Sequence, residues 1–124
     1  MADIWQVQDA FWNSFGIPAY DDQTAEPDIG YPHITYESLD GVLGDERSLS
    51  INLWYRSSSW AEIKQKATEI RQSVQDMRPI PFDRGYLWIK LPTSGIFSQP
   101  FGSGSDDSEI KRMLLTVEAE ALAF

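Results

Sequence analysis

Residues 60–77 carry the pattern that most narrows what this chain can fold into. Trp60, Ile63, Ala67, Ile70, Val74 and Met77 recur at three- and four-residue steps and so line one face of a five-turn helix. Ser59 and Glu62 have the spacing of a capping box, Glu62 and Lys66 pair favourably at i,i+4, and Pro79 and Pro81 end the run. A helix that is apolar on one side only must lay that stripe on another layer.

The other layer is written in alternation. In 48–56, Leu49, Ile51, Leu53 and Tyr55 alternate with Ser48, Ser50, Asn52, Trp54 and Arg56. Ile34 and Tyr36 do the same within 32–39, against His33, Thr35 and Glu37, and glycines at 41 and 44 suit a hairpin between the two runs. Leu87, Ile89 and Leu91 alternate with Tyr86, Trp88 and Lys90 in 85–91. Met113, Leu115, Val117, Ala119 and Ala121 form one face of a last strand over 109–121, opposite Arg112, Thr116, Glu118 and Glu120. A first helix over 3–15 is marked by Ile4, Val7, Phe11 and Phe15, with Asp3 in its first turn and Gly16 and Pro18 as its stop. Residues 17–31 read as loop, and so do residues 92–108, rich in Gly, Ser and Pro. The expected fold is α+β, a single domain over 1–124. Its order is αββαββ, an antiparallel four-stranded sheet with two helices packed on one face.

Composition removes several function classes. Cysteine is absent, which excludes disulfide scaffolds, thiol nucleophiles and Cys-based metal sites. No apolar run exceeds four residues, against the ~20 of a spanning helix. The first basic residue is Arg47, so the start lacks the basic region of an export signal, and the expectation is a soluble chain used without export, with no membrane partner. The formal charge of −9 lies wholly in residues 1–50, which hold ten acids and one base, while 51–124 is balanced. Clamping of nucleic acid needs the opposite sign, so no specific nucleic-acid binding is expected.

No catalytic constellation stands out. His33 is the single histidine and reads as a polar residue on a solvent face. Asp21-Asp22 and Asp106-Asp107 lack the alternating ligands, glycine pivot and distal glutamate of a calcium loop. Gly102-Ser103-Gly104-Ser105 lacks the lysine and the strand–loop–helix setting of a phosphate loop. The expectation is a protein that is not an enzyme, with no cofactor, no metal and no catalytic residue. What the pattern leaves over is aromatic. Trp54, Tyr86 and Trp88 fall on the more polar faces of their strands, and the 92–108 loop carries Ile96, Phe97 and Phe101. These six are the candidates for a subunit or tube interface, since aromatic side chains are enriched in interface cores.

Several segments taken together resemble a known family. They are Trp12-Asn13-Ser14-Phe15-Gly16-Ile17-Pro18-Ala19-Tyr20, Pro32-His33-Ile34-Thr35-Tyr36, Leu53-Trp54-Tyr55-Arg56-Ser57-Ser58-Ser59-Trp60, Gly85-Tyr86-Leu87-Trp88-Ile89-Lys90 and Gln99-Pro100-Phe101. In this order and spacing they resemble the tail terminator, minor capsid or neck proteins of bacteriophages and prophages, with Gly102 to Ser105 as a departure. The resemblance implies a virion protein made in the host cytoplasm and built into the tail or neck. It implies a homo-oligomeric ring, commonly a hexamer, that caps the tail tube and joins it to the head–tail connector protein. Self, the tail tube protein and the connector are then the partners. DNA would pass through such a ring, and carboxylates at its lumen would repel phosphates. Candidates for that lining are Asp21, Asp22, Glu26, Asp28, Asp40, Asp45 and Glu46. The acidic balance also suits a DNA-mimic inhibitor of a host nucleic-acid-binding protein, and head–tail closure or tail completion proteins share the size and symmetry of terminators.

Overall fold

The computed structural model describes residues 2–26, 28–39, 43–44, 46–93 and 95–123. Helix α1 spans Ile4–Trp12 and runs into a short 3-10 turn, Asn13–Phe15, that Gly16 ends at φ +83°. Strand β1 is Ala19–Asp21, β2 is His33–Tyr36 and β3 is Glu46–Arg56. Helix α2 is Ala61–Gln75, followed by β4 at Ile80–Phe82, β5 at Gly85–Lys90, β6 at Ser98–Phe101 and β7 at Ile110–Ala123.

The order αββαββ and the four-stranded antiparallel sheet do not hold. The sheet has seven strands in the order β1-β2-β3-β7-β5-β4, and it is mixed because β1 runs parallel to β2. β6 pairs with β7 off this path. β7 organises the whole. One of its edges takes β3 over eleven register pairs; the other is shared end to end, with β6 against Arg112 to Leu115 and β5 against Glu118 to Ala123. The sheet curls into a half-barrel. The strands that pattern reading missed are three or four residues long, and two contain a proline, Pro81 and Pro100, which sheets accept at edges.

The inner face of the curl holds the core. Leu49, Ile51, Leu53, Leu87, Ile89, Leu115 and Val117 meet Ile63, Ala67, Ile70 and Val74 of α2 there, all buried. α1 sits across the mouth of the curl, touching both β1 and β4 at the ends of the sheet, and the amide of Asp83 donates to the carbonyl of Ala2 at 2.9 Å. The capping box also moves. It forms at α1, where the Asp3 side chain accepts from the Gln6 amide and Gln6 Oε1 accepts from the Asp3 amide, both at 2.9 Å. α2 begins at Ala61 behind Trp60, and Ser59 only accepts from the Ala61 amide at 3.2 Å. The 92–108 segment is tied into the molecule through β6, through Phe97 in the core, and through a hydrogen bond of 2.7 Å from the Thr116 amide to the Phe97 carbonyl.

Candidate assembly surface

α2 packs on the inner face of β3, β5 and β7, so strand alternation turns every second side chain of those strands away from it. On that outer face, register places His33 opposite Trp54, Trp54 opposite Arg112, and Arg112 opposite Phe101. The four planar groups form one row across four strands. The imidazole and indole are nearly parallel, 12° apart, with centroids 6.0 Å apart. The Arg112 guanidinium carbon lies 5.2 Å from the Trp54 ring and 4.6 Å from the Phe101 ring, a cation held between two π faces. Hydrogen bonds along the strands fix the row. Trp54 Nε1 donates to Thr35 Oγ1 at 2.9 Å and Arg112 Nε to Asn52 Oδ1 at 2.8 Å.

A second patch lies at the other end of the same face. Trp88 sits opposite Glu120, and Tyr86 opposite Leu122. Lys90 caps the Trp88 ring at 4.8 Å and reaches Glu46 at 3.2 Å and Glu120 at 3.3 Å. Burial pulls the Lys90 ammonium down, but its hydrogen bonds and charge pairing with Glu46 and Glu120 outweigh it and hold its pKa above the ordinary value. Arg112 and Glu120 are eight residues apart on one strand, so the patches are separated by roughly 26 Å.

The six interface candidates therefore divide. Trp54 and Phe101 share the first patch, and Tyr86 and Trp88 share the second. Ile96, 66% exposed, lies on the other side of the sheet in a groove with Arg71 of α2. Phe97 is a core residue, 9% exposed, and offers nothing to a partner. Arg112, which joins the two rings of the first patch, was hidden in the sequence as one more polar residue of a strand; only the pairing of β3 and β6 on either side of β7 reveals it.

The acidic candidates also scatter. Asp21 ends β1 and Asp22 follows it, and Asp21 accepts from the Ser38 hydroxyl at 2.8 Å. Burial raises the Asp22 pKa, a hydrogen bond from Gln23 opposes it, and the charges of Asp21 and Glu37 add to the rise. Glu26 lines a cleft with Tyr31, His33 and Trp54, and Asp28 is exposed in the same loop. Glu46 is paired with Lys90 in the second patch, at the far end of β3. Asp40 and Asp45 lie outside the described residues. Asp21 and Asp22 thus sit with Glu37, while Glu26 and Glu46 mark opposite ends of the sheet.

His33 is not on a solvent face. It keeps the expected outward parity but is 6% exposed, enclosed by Tyr20, Tyr31 and Trp54. Its Nδ1 donates to the Gly30 carbonyl at 2.8 Å, and burial lowers its pKa against the upward pull of that bond. Among the described residues, no group of three His, Cys, Asp or Glu side chains is placed to hold a metal ion, and no helix is long and apolar enough to cross a membrane. Comparison with protein-family models, with curated proteins and with solved structures finds no match to this chain.

Proposed function

We propose that this chain is a non-enzymatic structural subunit of a phage tail, assembling into a ring that caps the tail tube and meets the head connector. The observation that carries the reading is the outer sheet face. Helix α2 packs on its opposite side, and it presents Trp54, Arg112 and Phe101 at one end and Tyr86 and Trp88 at the other. Groups of half-exposed aromatic side chains on a small domain mark contact surfaces. The exposed Ile96 on the α2 side supplies a second, different surface. A closed ring needs such a pair of unlike faces, because each copy meets its two neighbours through different surfaces. The resemblance to tail terminators supplies the setting.

The test is assembly. Sedimentation velocity or mass photometry, alone and with tail tube protein, is expected to show a closed oligomer. Phe101→Ala and Tyr86→Ala change exposed side chains and are expected to reduce it while the thermal midpoint stays within a few degrees. A strict monomer under all these conditions would overturn the reading.

A further inference from the structure

The first patch does not end at His33. Beyond it, the loop that follows β1 folds over the outer face and leaves a cleft of about 200 Å³ lined by Ala25, Glu26, Ile29, Tyr31, His33, Thr35 and Trp54. Its walls are of one chemical kind. Tyr31, 39% exposed, offers a π surface, Trp54 contributes a ring already stacked on His33, and the exposed Glu26 is the acidic residue of the lining. His33 Nδ1–H donates to the Gly30 carbonyl, so the neutral ring keeps Nε2 as an acceptor. Thr35 Oγ1 already receives the Trp54 indole proton. Among the described residues, no lysine or arginine lines the cleft. Acceptors, an exposed aromatic ring and one negative charge, with no positive charge, describe a receptor for a cation.

The fold contains its own precedent. One face of the Trp54 ring is stacked on His33, and the other is occupied by the Arg112 guanidinium, sandwiched against Phe101 and hydrogen-bonded to Asn52. We propose that the cleft over Tyr31, His33 and Trp54 binds a second cation of this kind, a guanidinium or alkylammonium group brought from outside the chain. Two sources share that chemistry: an arginine or lysine side chain of a partner protein, and a free small amine. Glu26 supplies the charge, Tyr31 the exposed π face, and Ile29 with Ala25 the contact for an alkyl stem. The inference is independent of the ring reading, since it concerns a cleft within one copy.

The test uses the full chain labelled with nitrogen-15, with the Trp54 indole signal assigned through a Trp54→Phe variant. N-acetyl-arginine amide is titrated against N-acetyl-citrulline amide, its uncharged isostere. The expected result is a saturable shift with the arginine compound in the millimolar range and none with citrulline. Glu26→Gln is expected to weaken it about two- to fivefold and Tyr31→Ala at least about fivefold. Should Tyr31→Ala fail to fold, the isostere comparison and Glu26→Gln still decide. A second arm compares agmatine with a neutral pentapeptide bearing one central arginine. Tighter binding of the peptide identifies a partner's side chain, and tighter binding of agmatine identifies a free amine. An equal shift with citrulline, or no saturation with any cation, overturns the proposal.

Discussion

Gly85 pairs with Ala123 where β5 runs beside β7, and a Cβ placed on it would lie 1.9 Å from the backbone oxygen of Leu122. Backbone cannot yield as a side-chain tip can, so Gly85→Ala is expected to destabilise by about 3 kcal/mol or more in urea unfolding. Gly102→Ala, in open space, serves as the control and should leave the midpoint nearly unchanged. His33 is the residue where stability meets pH. Burial lowers its folded pKa below the ordinary 6.5, despite the hydrogen bond to Gly30 that pulls the other way. As pH falls, the unfolded chain binds the proton first. Stability from this group is therefore complete above about 6.5 and is lost as pH drops from there towards the lower folded value. Thermal midpoints followed from pH ~7.5 to ~5.5 should fall more steeply in the wild type than in His33→Gln, which has no titrating ring. A parallel fall in both would assign the effect to other groups. The sequence showed the parity of His33, outward on its strand. It did not show that Tyr20, Tyr31 and a returning loop close over it, because those contacts are made by residues whose placement alternation does not encode.

Element by element, length decided what could be read. α2, β3, β5 and β7 are long enough, or regular enough, for periodicity to announce them, and they build the inner face of the curl. β1, β4 and β6 hold three or four residues each, too few for a period to repeat, and their existence depends on which edge of the sheet is free. Parallel pairing of β1 with β2 was equally hidden, since no local signal distinguishes it from a loop passing by. One tie between α1 and the segment after β2 is Gln8, 1% exposed, a polar residue that stands four after Ile4 and three before Phe11 on the apolar face of the helix. Its side chain imitates a strand. Oε1 accepts from the Leu39 amide at 2.6 Å, and Nε2 donates to the Leu39 and Ile4 carbonyls, each at 3.1 Å. Gln8→Leu keeps the size but strands both Leu39 backbone groups, at roughly 1–3 kcal/mol for each. Urea unfolding is expected to show a loss of about 2–4 kcal/mol, offset in part by the added apolar surface. A neutral outcome would mean that water reaches Leu39 once the amide is gone.

For the whole molecule, the question is what a charge of −9 does to the proposed association through aromatic faces. The candidate acids do not form one surface: Asp21 and Asp22 sit with Glu37, Glu26 sits on the cleft, and Glu46 is held by Lys90. Locally, then, the charges differ in role, but over the distance between copies they act together as repulsion. Aromatic contacts depend little on salt, whereas repulsion between like-charged copies fades once the screening length drops to about 10 Å at 0.1 M ionic strength. Self-association is therefore expected to strengthen as sodium chloride rises from ~20 to ~300 mM, read by mass photometry at fixed protein concentration. In this range Phe101→Ala should weaken assembly at every salt concentration without changing the direction of the trend. An acidic mimic of DNA would behave in the opposite sense, since its grip on a basic host protein loosens as salt is added. Weakening of self-association with salt would show that ion pairs between copies hold the assembly, and the row of Trp54, Arg112 and Phe101 would then serve the single chain alone.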